Sequence, residues 1–256
     1  MSVDASTLAL SPATLARWPA SVRVADRALH VAWWAARAAL RARPPESRMD
    51  ERHAEAAAFF SHLSRRLLAR HGVDLQVRGR LPEGACLLAA NHVGYLDPLI
   101  VAAACPSLAI AKSELAGWPL LGRGMQSLGV VFVDRNSRRA GAMALRAARS
   151  VLEADVPLLN FPEGTTTRGD ELLPFAPGLF GLARKLGVPV VPVGIRLPDP
   201  ALAWVGQDTF VPHYVAFAAR PRTAIRLSFG EALPSVAAQD TQALADLARA
   251  RVAALI

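Results

Sequence analysis

Residues 86–98 read Cys-Leu-Leu-Ala-Ala-Asn-His-Val-Gly-Tyr-Leu-Asp-Pro, and this stretch decides how the rest of the chain is interpreted. The apolar run Cys86–Ala90 predicts a short buried strand that ends at Asn91 and His92. Asp97 follows five residues after the histidine. Histidine exchanges a proton near neutral pH, and a nearby carboxylate can orient the ring and stabilise its protonated form. His92 and Asp97 are therefore candidates for a general base and its partner, although such a pair is also common in ordinary packing.

Apolar runs of strand length alternate with helix-like segments from residue 73 onward, which predicts an α/β fold with a largely parallel central sheet flanked by helices. The predicted strands are Val73–Val77, Cys86–Ala90, Leu108–Ala111, Val130–Val133, Pro157–Phe161, Val188–Ile195 and Ala224–Phe229. The predicted helices among them are Pro98–Ala104, Trp118–Leu128, Ser137–Ala154, Phe175–Leu186 and Ala237–Ala254. Such sheets gather functional residues at the carboxyl ends of their strands.

The sequence before residue 73 predicts a two-helix hairpin that precedes the α/β domain of residues 73–256. Residues 1–20 have little pattern and are expected to be poorly ordered. Helices are expected at 21–43 and 50–71, with Pro44 and Pro45 in the turn and Gly72 as the stop of the second helix.

The first helix of this hairpin holds two adjacent tryptophans among arginines. Indoles at headgroup level and cations near lipid phosphates are typical of an interfacial helix, and this interpretation makes residues 21–72 a membrane-associating motif. An amphipathic helix packed on the domain explains the same pattern equally well. The residues assigned to the membrane are Trp33, Trp34, Arg37 and Arg41, with Arg23, Arg27 and Arg43 adding charge.

The composition limits the partners of the chain. Its 256 residues contain 29 Lys and Arg against 21 Asp and Glu, and the resulting charge of +8 favours a membrane surface, a phosphorylated substrate or nucleic acid. Nucleic-acid binding is disfavoured, because the arginines are scattered along helices and few aromatic residues accompany the strands. Cys86 and Cys105 lie in apolar runs and are expected to be buried free thiols in a reducing compartment. Neither a secretory signal nor an apolar run of roughly 20 residues is present, so we expect no spanning helix.

Two further strand ends carry chemical groups. The strand that begins at Gly129 delivers Asp134 and Arg135, and the arginine can hold a phosphate or carboxylate through its planar fork of donors. The strand near residue 160 delivers Phe161-Pro162-Glu163-Gly164-Thr165 and then Arg168. Taken separately, these residues are better explained by a surface ion pair and a strand-ending turn.

Taken together, the blocks Asn-His-x4-Asp, Gly-x-x-Phe-x-x-Arg, Phe-Pro-Glu-Gly-Thr and Val-Pro-Val at 191–193 closely resemble the ordered signature of glycerolipid acyltransferases. The nearest well-known members are the lysophosphatidic acid acyltransferases of bacterial membranes. The match spans residues 85–195. The chain is therefore identified as an enzyme of phospholipid biosynthesis that resembles this family.

The resemblance implies transfer of a fatty acyl group from a thioester of acyl carrier protein or coenzyme A to the free hydroxyl of a lysophospholipid. His92 is then the general base and Asp97 its partner. The substrate-binding residues implied are Asn91, Lys112, Arg135, Phe161, Pro162, Glu163, Gly164 and Thr165. The family needs no cofactor and no metal, and its members work as peripheral enzymes on the cytoplasmic face of the inner membrane. A backbone N–H near Gly164 is a candidate donor for the oxyanion.

The acceptor expected from the resemblance is 1-acyl-glycerol-3-phosphate, with phosphatidic acid as product. One departure weakens this assignment. Many such enzymes continue the third block as Phe-Pro-Glu-Gly-Thr-Arg, whereas Thr166 and Thr167 intervene here before Arg168. The threonine-rich form also resembles enzymes that acylate lyso-ornithine lipid. A non-enzymatic lipid-binding protein on the same fold is the alternative of another class.

Overall fold

The structure is a computed structural model that describes residues 14–40, 49–112, 131–133, 138–206 and 208–256. Its strands are β1 (Val73–Arg78), β2 (Leu87–Ala90), β3 (Leu108–Lys112), β4 (Val131–Val133), β5 (Leu158–Asn160), β6 (Val190–Arg196) and β7 (Thr223–Phe229). Its helices are α1 (Ala20–Ala39), α2 (Met49–Arg70), α3 (Asp97–Ala104), α4 (Arg138–Glu153), α5 (Gly178–Leu186), α6 (Phe210–Ala219) and α7 (Thr241–Ala253). The predicted α/β class and all seven predicted strands are confirmed. The predicted helix 118–128 lies outside the described residues.

The seven strands form one sheet in the order β1-β7-β6-β2-β5-β3-β4. All neighbouring strands are parallel except β6 and β7, which are antiparallel. The strand β2 lies in the middle of the sheet and all four of its residues are buried. Because its side chains alternate between two covered faces, both faces must be apolar, and Leu-Leu-Ala-Ala satisfies this requirement. The strand therefore delivers His92 to the centre of the carboxyl edge.

Helices cover both faces of the sheet. One apolar core joins Leu88 and Ala90 of β2 to residues of α2, α3 and α6, and the other joins Leu87 and Ala89 to residues of α4, α5 and α7. Cys86 and Cys105 are buried free thiols, as predicted, and burial raises the pKa of each to about 12.

The helix α6 is an element that the sequence reasoning missed. Its residues Phe-Val-Pro-His-Tyr-Val-Ala-Phe-Ala-Ala are almost entirely apolar, so they show no alternation of apolar and polar faces from which a helix could be predicted. Pro212 stands in its first turn, where a missing N–H costs no hydrogen bond.

The two N-terminal helices form the predicted hairpin. Asp26 near the start of α1 forms an ion pair with Arg70 at the end of α2, and Trp34 further along α1 packs against Phe60 and Leu63 of α2, so the helices are antiparallel. The helix α2 ends as predicted before Gly72, which has a φ of 71°. A Cβ atom there would approach the carbonyl oxygen of Pro221 to 2.5 Å, so only glycine fits. Residues 1–13 and the turn at 41–48 lie outside the described residues.

Two arginines of α1 point into the protein rather than toward lipid, which corrects their expected placement. The Arg27 side chain is 1% exposed and donates to the carbonyl oxygens of Arg70, Ala218 and Arg220. Arg23 donates to the carbonyl oxygen of Ala219. The last carbonyls of a helix have no partner within it, so these guanidinium groups complete the carboxyl end of α6 and hold α1 against it.

The adjacent tryptophans of α1 have opposite environments. Trp34 is only 7% exposed, lies beside Ala38 and donates its indole N–H to His30. It is therefore buried in the protein, whereas the sequence predicts a position at the membrane surface. Trp33 is 52% exposed and lies beneath the guanidinium of Arg37 at 5.5 Å. Consecutive helical positions are rotated by about 100°, so two neighbours cannot both face the same surface. Arg41 lies outside the described residues.

Candidate active site

His92 lies at the carboxyl end of β2, and its side chain is paired with Asp97. The two groups are 2.7 Å apart between Nδ1 of the imidazole and Oδ2 of the carboxylate. Asp97 opens α3, where an acidic side chain is favoured by the helix dipole. The imidazole is 22% exposed and the carboxylate only 1% exposed, so the pair is accessible from the histidine side alone. The structure thus brings together the base and the partner expected from their spacing.

Two backbone donors hold Asp97 in place. The N–H groups of Val93 and Gly94 donate to the same Oδ2 atom at 2.6 and 2.9 Å. Three donors therefore converge on one carboxylate oxygen. Hydrogen bonds between its two ends therefore close the loop from His92 to Asp97 into a preorganised unit.

Glu163 supports His92 from the neighbouring strand. Its Oε1 accepts a hydrogen bond from the backbone N–H of His92 at 2.9 Å, and its Oε2 accepts from the N–H of Leu173 at 3.0 Å. Burial disfavours the charged carboxylate more than these donors favour it, so the pKa of Glu163 is raised. Both carboxylate oxygens accept hydrogen bonds from the protein's own backbone. A substrate that contacted Glu163, as predicted, would have to share these oxygens with the backbone donors.

The other residues of this turn position the imidazole. Phe161 stacks on His92 with ring centroids 4.1 Å apart, and the carbonyl of Pro162 accepts from Ala176 N–H. Gly164 has a φ of 77°, a region that favours glycine, and its N–H donates to the carbonyl of Phe161 at 3.1 Å. The Gly164 N–H is therefore bonded within the turn, whereas the sequence predicts that a backbone N–H near Gly164 faces an oxyanion. Thr165 is exposed beyond the turn.

Asn91 joins β2 to β6 instead of facing the site. Its amide donates to the carbonyl of Ile195 at 2.9 Å and accepts from the Ile195 N–H at 2.7 Å, and the residue is fully buried. An asparagine that is fully buried and paired with the neighbouring strand through both its oxygen and its nitrogen does not face a ligand at the surface. This placement differs from the predicted substrate contact, because the β2 ladder ends here and the side chain continues its pairing.

Two predicted anion-binding residues are not positioned by the structure. Lys112 ends β3, where its backbone pairs with Val133 of β4, but its side chain lies outside the described residues, as does all of Arg135. Both roles stay predictions. Among the described residues no cluster of three or more His, Cys, Asp or Glu could hold a metal ion.

Sequence reasoning missed several residues that surround the loop from His92 to Asp97. Tyr95 lies between His92 and Asp97, and its hydroxyl contacts Nδ1 of His213 on α6 at 3.1 Å. The carbonyl of His92 accepts from Thr167 N–H at 2.8 Å, and that of Val93 accepts from Trp204 N–H at 2.9 Å. Tyr95 lies inside the Asn-His-x4-Asp block, and this position is a signal from which its role near the site could have been predicted. The partners on residues 204–213 have no local signal.

Comparison with known proteins places these features in a family. Residues 73–196 match the family described as Acyltransferase. The chain is 34% identical over 204 residues to a 1-acyl-sn-glycerol-3-phosphate acyltransferase of Neisseria meningitidis, covering 76% of this chain and 79% of that protein. It is 32% identical over 175 residues to a lyso-ornithine lipid O-acyltransferase of Pseudomonas aeruginosa, covering 66% of this chain and 67% of that protein.

One solved structure has the same fold. The 1-acyl-sn-glycerophosphate acyltransferase PlsC of Thermotoga maritima superposes with a TM-score of 0.66, and the alignment covers 92% of each chain at 21% sequence identity. At this identity the likeness concerns the fold. It extends over the N-terminal helices as well as the sheet.

Proposed function

The chain belongs to the acyltransferase family, and we propose that it moves a fatty acyl group from an acyl thioester to the free hydroxyl of a lysolipid, with His92 as general base. The observation that carries this proposal is the His92–Asp97 pair, 2.7 Å apart, at the carboxyl end of the central strand β2. The two acceptors named for its relatives are 1-acyl-sn-glycerol-3-phosphate and lyso-ornithine lipid.

The geometry supports a base that acts through the ring nitrogen opposite Asp97. With Nδ1–H donated to the carboxylate, the neutral imidazole presents the lone pair of Nε2. This atom takes the proton of the acceptor hydroxyl as its oxygen attacks the thioester carbonyl. The carbon–sulfur bond then breaks, the thiolate leaves, and the proton on His92 is available to it. Asp97 stabilises the imidazolium between these two transfers.

The donor is the thioester of acyl carrier protein or coenzyme A, and the reaction needs no cofactor beyond it. Lys112 and Arg135 are retained as groups that hold an anionic headgroup or donor phosphate. In the turn Phe161–Thr165, Phe161 and Glu163 hold His92 in place, and Thr165 lines the acceptor site.

The test is acyl transfer by His92→Ala with a defined thioester and a panel of lysolipids, with products identified by mass. We expect a loss of at least about 10²–10⁴-fold, the usual contribution of a general base. His53→Ala is the matched control, since this histidine lies between α2 and α4 against Ser150 and should remain active. If the wild-type protein binds lysolipid but transfers no acyl group, the non-enzymatic alternative is correct.

We further propose that the protein works as a peripheral enzyme on the cytoplasmic face of the inner membrane. None of the described helices is long and apolar enough to cross a bilayer. Arg37 is the single charged residue among the exposed positions of α1 in the described structure. The others are Ala20, Ser21, Val22, Ala25, Ala28, Leu29, Ala32 and Trp33.

The adjoining helix α6 supports the same placement. Its exposed residues Val211, Pro212, Val215 and Ala216 are all apolar, and α1 is attached to it through Arg23 and Arg27. Helices that expose apolar side chains with cations at the border match the interfacial region of a bilayer. The term α1/α6 surface is used below for the exposed residues of these two helices.

Sedimentation with anionic vesicles tests this surface. The double variant Leu29→Asp and Trp33→Asp should remain in the supernatant, because charge at these exposed positions opposes insertion without disturbing the core. The control double variant Met143→Asp and Val236→Asp changes two equally exposed apolar residues elsewhere and should still sediment. Equal sedimentation of both double variants would count against the α1/α6 surface.

A further inference from the structure

A pocket of about 340 Å³ that is open to solvent on one side adjoins the loop His92–Asp97, the catalytic loop of the proposed mechanism, and has no part in the proposed proton transfer. It is called the cavity below. It is lined by the last residue of the threonine-rich block, by the segment before α6 and by the first turn of that helix. The lining residues are Arg168, Ala201, Ala203, Asp208, Thr209, Pro212 and His213.

Hydrogen bonds hold this cavity next to His92. Arg168 directly follows Thr167, whose N–H donates to the carbonyl oxygen of His92 at 2.8 Å. Ala203 directly precedes Trp204, whose N–H donates to the carbonyl of Val93 at 2.9 Å. The chain neighbours of two lining residues, Arg168 and Ala203, are thus bonded to the consecutive loop residues His92 and Val93. These bonds tie the cavity to the loop that carries the imidazole.

The cavity is lined by charges of both signs that do not pair with each other. Arg168 is exposed and has no hydrogen bond or ion pair within the described part of the chain. Asp208 uses Oδ2 to accept from Val205 N–H at 3.2 Å, which leaves its other oxygen available. An arginine and a carboxylate that face one space without contact are complementary to a ligand that carries both charges.

A buried polar atom in the wall is a second sign of a ligand. Nε2 of His213 is shielded from solvent and has no hydrogen-bond partner among the described residues, while Nδ1 contacts the Tyr95 hydroxyl. Buried polar atoms are nearly always paired in folded proteins. A polar group in the cavity, or a water that the cavity holds, would provide the missing hydrogen bond to Nε2 of His213. Tyr95 also packs edge-on against Trp204 and Phe210, which makes the wall rigid.

We propose that this cavity is the acceptor-headgroup subsite and that it selects an amino-acid headgroup, with Arg168 binding the carboxylate and Asp208 binding the ammonium. The inference rests on the proposed acyl transfer and specifies its acceptor class. A phosphate monoester has negative charge alone, so Arg168 would attract it while Asp208 would repel it. The charges therefore favour lyso-ornithine lipid over 1-acyl-glycerol-3-phosphate as acceptor.

The position of the cavity suits an acceptor held in a bilayer. Pro212 lines the cavity and is also part of the α1/α6 surface, so the opening lies beside residues that we place against lipid. A lysolipid can then keep its chain in the membrane while its headgroup enters the cavity and its hydroxyl meets His92.

The experiment compares kcat/KM for two acceptors, lyso-ornithine lipid and 1-acyl-glycerol-3-phosphate, in the wild type and in Asp208→Asn. The wild type should prefer the amino-acid acceptor. The variant should lose about 10- to 100-fold of that preference, as expected for one charge-assisted hydrogen bond, mainly through KM. Asp170→Asn, an exposed aspartate near Arg168 that does not line the cavity, is the matched control and should keep the wild-type ratio.

A chemical variant of the acceptor provides the same test without changing the protein. Lyso-ornithine lipid with its amine acetylated keeps the carboxylate and loses the cation, so the wild type should use it about 10- to 100-fold less well and Asp208→Asn should not discriminate against it. An unchanged acceptor ratio in Asp208→Asn, or equal use of the acetylated acceptor by the wild type, would overturn the subsite while acyl transfer itself still stands. A wild type that acylates no lysolipid would instead remove the proposed function.

Discussion

Two carboxylates contact the same histidine, one from the loop His92–Asp97 and one from the turn Phe161–Gly164. Asp97 bonds the imidazole Nδ1 at 2.7 Å, whereas Glu163 bonds the backbone N–H of His92 at 2.9 Å. Asp97 is buried and Glu163 is half-buried, and their hydrogen-bond donors also differ. Asp97 has three donors on one oxygen, while Glu163 has one backbone donor on each oxygen and a pKa that burial raises.

This difference separates a role in chemistry from a role in position. A carboxylate on the ring stabilises the positive charge that forms when the imidazole takes a proton, so its charge affects the rate directly. A carboxylate on the backbone determines where the ring is held, and its effect on the rate is indirect. The two residues should therefore respond differently to the loss of charge.

The largest effect is expected for Asp97→Asn. The amide oxygen can accept from the same donors, but a neutral group does not stabilise the imidazolium, so kcat should fall by about 10²–10⁴-fold. Steady-state kinetics with saturating acceptor measure this loss. Asp246→Asn, which removes an exposed carboxylate on α7, is the control. A fully active Asp97→Asn variant would mean that Asp97 only positions the loop.

A smaller effect is expected for Glu163→Gln. One of the two backbone N–H groups then faces an amide NH₂, which should lower the free energy of unfolding by about 1 kcal/mol and shift His92 slightly. We expect a loss of activity of about 10-fold, within the range for small displacements of a catalytic group. Denaturant titration and kinetics on the same preparation separate the two consequences. If Glu163→Gln lost as much activity as Asp97→Asn at unchanged stability, Glu163 would belong to the chemistry.

The smallest effect is the pH dependence of that stability difference. The pKa of Glu163 is raised in the folded state, so its contribution to the free energy of unfolding is fully present below the ordinary carboxyl pKa and declines as the pH rises through the folded value. The advantage of the wild type over Glu163→Gln should therefore shrink as the pH rises above the ordinary carboxyl pKa of about 4.3. Denaturant titrations of both proteins across this range measure it. A gap that widens with pH would show that the backbone donors outweigh burial.

Much of the fold could be predicted because the informative signals are local. Apolar runs such as Cys86–Ala90 and Val188–Ile195 are long enough for a strand and too short for a helix, and each ends at a polar residue, Asn91 or Arg196. The spacing of His92 and Asp97 likewise places both within one strand–loop–helix unit, so their pairing needs no distant contact.

Other features could not be predicted because distant residues decide them. The sequences around Trp33 and Trp34 are nearly equivalent, and only the packing of α1 on α2 determines which indole is buried. Arg27 resembles any surface arginine until the carboxyl end of α6 supplies carbonyl partners. Asn91 resembles a site residue until β6 places Ile195 beside it.

The sequence by itself determined the α/β class, the strands and the pairing of His92 with Asp97, since each depends on periodicity or on residues within a few positions of one another. It also determined the family, because the order of the short blocks along the chain is visible without the fold. Only the tertiary structure decided which groups far apart in the sequence meet. It bonds Glu163 to the His92 backbone, joins α1 to α6, and brings Asp208 and His213 into one cavity with Arg168 beside the catalytic loop. The physical reason is that burial and hydrogen bonding between distant segments exist only once the sheet and its helices have packed.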